Sequence, residues 1–115
     1  MAGTQFPRMV GGVASATAGT TQTQAGATAL SGAVNLVTTG NANDGVLLPA
    51  SPAAGDVVYV VNLSAAVLKV YPTTDGKINN GSANAAVSMR ANTTGAFVAT
   101  GSGNWGAVFD TDTTA

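Results

Sequence analysis

Apolar and polar positions alternate with a period near two through the middle of this sequence, and two runs carry the pattern most densely. They are Asp56-Val57-Val58-Tyr59-Val60-Val61-Asn62 and Val67-Leu68-Lys69-Val70-Tyr71-Pro72, rich in β-branched and aromatic residues and bounded by Gly, Asn, Ser or Pro. Branched and aromatic side chains pack well on a pleated surface, so each run predicts a strand. The short connection from Leu63 to Val67 predicts that the two pair as an antiparallel hairpin. Alternation places Val57, Tyr59 and Val61 on one face and Val58, Val60 and Asn62 on the other. Both faces are largely apolar, so each is expected to need cover, from a second sheet or from a neighbouring subunit.

Shorter strands are predicted around this pair. Leu30, Val34 and Leu36 recur at even spacing and predict a first strand, ended by the turn residues from Thr38 to Gly45. Val46-Leu47-Leu48 predicts a second, stopped by Pro49, and Pro49, Pro52 and Gly55 predict a rigid connection into the central pair. Turn signals at 73–76 and at Asn80-Gly81 enclose a brief strand at 77–79. Strands are also predicted at 87–90, 96–100 and 105–109, the last two joined by a hairpin turn at 101–104. No stretch has a convincing helical period; residues 82–86 could hold one turn of helix or pack as a loop. Many short strands at close spacing predict an all-β fold, an antiparallel β-sandwich or barrel-like body.

The first residues break the pattern. Residues 1–27 are mostly Gly, Ala, Thr, Ser and Gln, with one cluster of larger side chains at Phe6, Pro7, Arg8, Met9 and Val10. Such a segment buries too little apolar surface to offset the entropy of ordering it alone. The expected organisation is an extended N-terminal arm at 1–27, a β body at 28–110 and a C-terminal tail at 111–115. Phe6, Pro7, Met9 and Val10 are candidate anchors of the arm on another chain. Tyr59, Tyr71 and Trp105, the large amphipathic aromatics, are candidate anchors of the body or of an interface. Hydrophobic residues are 45% of the chain but aromatics only 5%, so Ala supplies much of the apolar count and the core is expected to be thin. Association often completes such a core.

Charge and chemistry narrow the function. Charged residues are 8% of the chain and the net charge is -1, so no basic surface is expected for phosphates and no nucleic-acid partner. No polybasic or strongly amphipathic segment and no apolar run near ~20 residues points to a membrane. Cysteine is absent, which excludes disulfides and thiolate metal sites. Residues 1–13 lack a continuous apolar core of a signal peptide, so synthesis in the cytoplasm is expected. Histidine and glutamate are absent too, leaving Asp44, Asp56, Asp75, Asp110, Asp112, Lys69 and Lys77 for proton transfer, none in a catalytic spacing. Asp44 and Asp75 precede Gly and read as turn residues. Asp110 and Asp112 could face one calcium ion, but two carboxylates fall short of the ~6 oxygens it requires. The expectation is a protein that is not an enzyme, with no catalytic residue, no metal and no cofactor.

The run Val60-Val61-Asn62, then Leu68-Lys69-Val70-Tyr71-Pro72, Ile78-Asn79, Ala83-Asn84-Ala85-Ala86-Val87-Ser88-Met89, Phe97 and Trp105 resembles a segment of small virion proteins of tailed bacteriophages. These are similar to capsid decoration, or cement, proteins, and related segments occur in phage fibre proteins. The resemblance covers about 27–108, is most specific over 69–89, and leaves out the arm. It implies a β-rich, oligomeric shell protein, commonly a homotrimer, whose partners are the major capsid protein and copies of itself, on the capsid exterior of the virion. It brings no catalytic or metal residues. The alternative it leaves open is a fibre or receptor-binding module that presents its loops to a host surface glycan.

Overall fold

The chain moves back and forth between two sheets. The computed structural model describes residues 12–39, 41–50 and 52–110. Strands β1 (Val13–Thr17), β3 (Val34–Thr38) and β5 (Val57–Asn62) lie in one sheet, and β2 (Thr28–Ala29), β4 (Asp44–Leu47) and β6 (Leu68–Tyr71) in the other. Strand β7 (Val87–Met89) joins the second sheet, and β8 (Thr94–Gly101) and β9 (Asn104–Val108) complete the first. The five-stranded sheet has the order β1-β3-β5-β8-β9 and the four-stranded sheet β2-β4-β6-β7. Within each sheet the first strands are parallel, whereas β7, β8 and β9 add antiparallel. The result is a short parallel coil closed by an antiparallel end, with no helix among the described residues.

The all-β expectation holds at this level, and the antiparallel arrangement is corrected to two mixed sheets. The central runs are not a hairpin. Strand β5 pairs with β3 and β8, while β6 pairs with β4 and β7. A buried asparagine sets this corner: Asn62 Nδ2 donates to the carbonyls of Ala66 (2.9 Å) and Arg90 (3.2 Å), and its Oδ1 accepts from Ser64 N (3.1 Å) and Oγ (2.7 Å). These bonds hold 63–66 as a bend that carries the chain across the core instead of back along its own sheet. A connection of that length suits either path, and period-two alternation is the same beside a parallel or an antiparallel neighbour.

The predicted first strand likewise splits, Thr28–Ala29 going to the second sheet and Val34–Thr38 to the first. Asn35 clamps this corner, accepting from Gly32 N (3.0 Å) and donating to the carbonyls of Gly32 (2.9 Å) and Tyr59 (3.1 Å). Among the described residues no sheet closes on itself, so the barrel-like option is also corrected. Asp44, read as a turn residue, opens β4 and is buried, with Oδ2 accepting from the Thr39 hydroxyl at 2.9 Å. Residues 83–84 form a turn without helix, and the predicted hairpin at 101–104 is present, Ser102 and Gly103 both having positive φ.

One apolar core draws on both sheets, with Val37, Val60 and Phe97 from the first and Val46, Leu68 and Val70 from the second. Large side chains gather at the antiparallel end, where Phe97 and Phe109 stack with centroids 6.0 Å apart and Trp105 and Met89 are buried. Much of the segment read as an arm belongs to this body. Strand β1 pairs in parallel with β3, and the loop after it crosses the second sheet. Gln24 Nε2 donates to Pro72 O (3.0 Å), Gln22 Nε2 to Ala42 O (3.1 Å), and Gly19 and Gly45 exchange backbone bonds of 2.8 and 3.1 Å. Phe6, Pro7, Met9 and Val10, and the tail at 111–115, lie outside the described residues.

Candidate functional site

Parallel strands are ordinarily covered on both faces. The inner face of the five-stranded sheet, with Val37, Val58, Val60, Phe97 and Trp105, has the core against it. Its outer face has no cover among the described residues. The register brings Val13, Val34, Tyr59, Ala96 and Val108 into one row that crosses all five strands. Val57 pairs with Val98 on one side of this row, and Leu36 with Val61 on the other. Val13 is 66% exposed, Val108 79%, Leu63 52%, Val98 38% and Tyr59 36%. Five strands at ~4.8 Å spacing make this row roughly 20 Å long. None of the described charged residues lies on it. The row is therefore apolar and uncharged, with Ser15, Thr17, Thr38 and Thr94 beside it on the same face, a mixture that suits contact with protein.

The three candidate aromatics are not brought together. Tyr59 stands in the middle of the outer row. Trp105 lies on the opposite side of the same sheet, only 2% exposed, with its Nε1 unpartnered. It is a core residue, positioned by β9 and by the bridge that pairs it with Ile78. Tyr71 lies on the outer side of the four-stranded sheet, where its hydroxyl donates to Gln22 O at 3.1 Å. Its ring rests on Gly45; a Cβ at that position would stand 2.7 Å from a ring carbon. Tyr71 thus pins the crossing loop to its own sheet.

Residues that the sequence reading passed over hold this geometry. Asn35 and Asn62 form the corners, and Asn79 closes the edge of β9. Their signal was present: each asparagine stands next to branched apolar residues, where a polar amide needs a reason. The aspartates form no cluster. Asp56, Asp75 and Asp110 are exposed, Asp44 is buried with Oδ1 unpartnered, and Asp112 lies outside the described residues. Among the described residues no group of three or more potential ligands could hold a metal ion, and no helix is long and apolar enough to cross a membrane. A shallow cleft of about 190 Å³ lies beside the outer row, lined by Ser15, Thr17, Leu36, Thr38 and Leu63 among others, and it offers no titratable group. No family model, no characterised relative and no solved structure matches the chain.

Proposed function

We propose that this protein is a structural component of a bacteriophage virion, a capsid decoration protein that assembles through the outer face of its five-stranded sheet. The observation that carries the reading is the uncharged row Val13, Val34, Tyr59, Ala96 and Val108, which has no cover among the described residues on a sheet whose parallel strands call for one. The two sheets act as a β-sandwich that is complete on its inner side and completed on its outer side by other protein. Copies of the chain join as a homotrimer and bridge capsomers, where apolar surface removed from water contributes ~25 cal/mol per Å². Repetition over a lattice then multiplies a modest contact. The protein is made in the host cytoplasm, sits on the capsid exterior, and needs no cofactor, nucleic acid or membrane.

The fibre reading keeps one observation in its favour. A coil that visits two sheets in turn can grow by further turns at an open edge, as elongated repeat proteins do. Electron cryo-microscopy of the source particle separates the two. Many regularly spaced copies on the shell are expected, and a few copies at the tail would replace the decoration reading with the fibre reading. Light scattering coupled to size exclusion should give the mass of a trimer; a stable monomer at micromolar concentration would remove self-assembly from the proposal.

A further inference from the structure

The edge of β9 is covered by the segment that links β6 to β7. Trp105 N donates to Lys77 O (2.8 Å), and Trp105 O accepts from Asn79 N (2.9 Å). The Asn79 carboxamide then grips Ala107, Nδ2 donating to its carbonyl at 3.1 Å and Oδ1 accepting from its N–H at 2.8 Å. A side-chain amide thus stands in for the backbone of a further strand and closes these groups to strand addition.

The segment turns back immediately after this grip. Asn79 and Asn80 have φ of +53° and +60°, and Gly81 N donates to Ile78 O at 2.9 Å, which makes 78–81 a type I′ turn. Asn80 and Gly81 are both exposed. Asn80 is also the one asparagine of the chain that precedes glycine, and a glycine nitrogen is the backbone nitrogen least hindered from reaching the side chain before it. The amides of Asn35, Asn62, Asn79 and Asn84 are held by hydrogen bonds, and the remaining asparagines precede larger residues. In the two Asp-Gly pairs, 44–45 and 75–76, the glycine is buried.

We propose that Asn80 is a site of spontaneous covalent modification, deamidation to isoaspartate through a succinimide, and that the product releases the Asn79 grip on β9. The inference goes beyond the proposed function and needs no capsid. Gly81 N gives its proton to solvent base and bonds to Asn80 Cγ; the Cγ–Nδ2 bond breaks, and ammonia leaves with a proton returned from solvent. Water then opens the ring. Cleavage between the ring nitrogen and Cγ gives aspartate, whereas cleavage between that nitrogen and the main-chain carbonyl carbon gives isoaspartate, whose backbone is one carbon longer. Nothing is oxidised or reduced. In the folded turn the Gly81 N–H is spent on Ile78 O, so ring closure waits for the turn to open. The bonds of Asn79 to Trp105 and Ala107 hold that turn shut, which makes Asn79 a positioning residue that slows the reaction. Once the extra carbon is in place, the 78–81 bond no longer closes a two-residue turn, and Asn79 is carried off Ala107. The seal on β9 therefore has a chemical lifetime.

The whole chain, kept in mildly alkaline buffer, should gain isoaspartate and aspartate at position 80 before any other asparagine reacts. Peptide mapping with fragmentation that separates the two isomers reads this directly. Asn79→Ala should speed the conversion about tenfold, because two hydrogen bonds that hold the turn are lost, and Gly81→Ala should nearly abolish it. After isoaspartate has formed, the Ala107 amide should exchange at least about tenfold faster by amide-resolved hydrogen exchange, with Val60 in the middle of the sheet unchanged. Asn80→Asp carries the same charge on a backbone of normal length and should keep Ala107 protected. No conversion at 80, earlier conversion at another asparagine, a wild-type rate in an Asn79→Ala chain that retains its β circular dichroism, or Ala107 protection that survives the isoaspartate would each overturn the proposal.

Discussion

The outer faces of the two sheets meet opposite treatment. On the four-stranded sheet, Lys69 Nζ donates to Ser88 Oγ at 2.7 Å, and Tyr71 and Gly45 receive the crossing loop of residues 19–27. That face is polar where open and covered where apolar. On the five-stranded sheet the corresponding surface is a row of Val, Ala and Tyr with no cover among the described residues. Among the described residues the chain lays its own loop on one face and nothing over the other. Exposed apolar area of this kind is costly in a monomer and useful in an assembly, so the contrast separates what holds the fold together from what is available for contact.

The largest effect should come from the inner side of the five-stranded sheet. Trp105→Ala removes a fully buried ring and should lower stability by about 3–5 kcal/mol in urea denaturation. A loss below ~1 kcal/mol would mean that Trp105 packs less tightly than its burial indicates.

Tyr59, on the other side of the same sheet, should behave in the reverse way. Tyr59→Asp is expected to leave the circular dichroism of the body β-like while weakening self-association by about 2 kcal/mol or more, because it sets a charge in the middle of an apolar row. Sedimentation of the variant at the wild-type mass would exclude this face as the assembly surface.

A smaller effect tests the covered face. Tyr71→Phe deletes one hydroxyl bond to Gln22 and should cost about 0.5–1.5 kcal/mol. Hydrogen exchange in residues 19–27 should quicken without any change in oligomer mass. A change of mass would show that the loop, too, takes part in assembly.

The smallest expected effect is that of salt. No described charged residue lies on the outer row, and at 1 M salt the Debye length is ~3 Å, so ion pairs would be screened and apolar contacts kept. Association measured in low and in 1 M sodium chloride should therefore agree closely. A strong decline at high salt would assign the contact to the few charges elsewhere, Arg90 among them.

The faces of β5 were readable in advance. Val58, Val60 and Asn62 point inward and Val57, Tyr59 and Val61 outward, as alternation requires, and the need for outside cover follows from the same residues. The hairpin at 101–104 was equally plain from its glycines. The roles of Tyr71 and Trp105 were less so. Both stand in apolar surroundings, and only the register shows that one ring faces a loop and the other the core. Asp44-Gly45 is a turn signal in the sequence, whereas pairing of Asp44 with Leu68 and of Gly45 with Lys69 on β6 holds both residues in a strand.

The central strands, their faces and the shortage of acid–base side chains were determined by the sequence itself, since each depends on side chains within a few positions of one another. Strand neighbours were decided by the tertiary structure. Parallel and antiparallel partners ask the same alternation of a strand, and the choice between them falls to the corners. There Asn35 and Asn62 spend their amides on backbone groups distant along the chain, Tyr59 for one and Arg90 for the other. An asparagine read locally is a turn former. Buried among valines, where an unbonded amide would cost ~1–3 kcal/mol, it becomes the clamp that sends the chain from one sheet to the next.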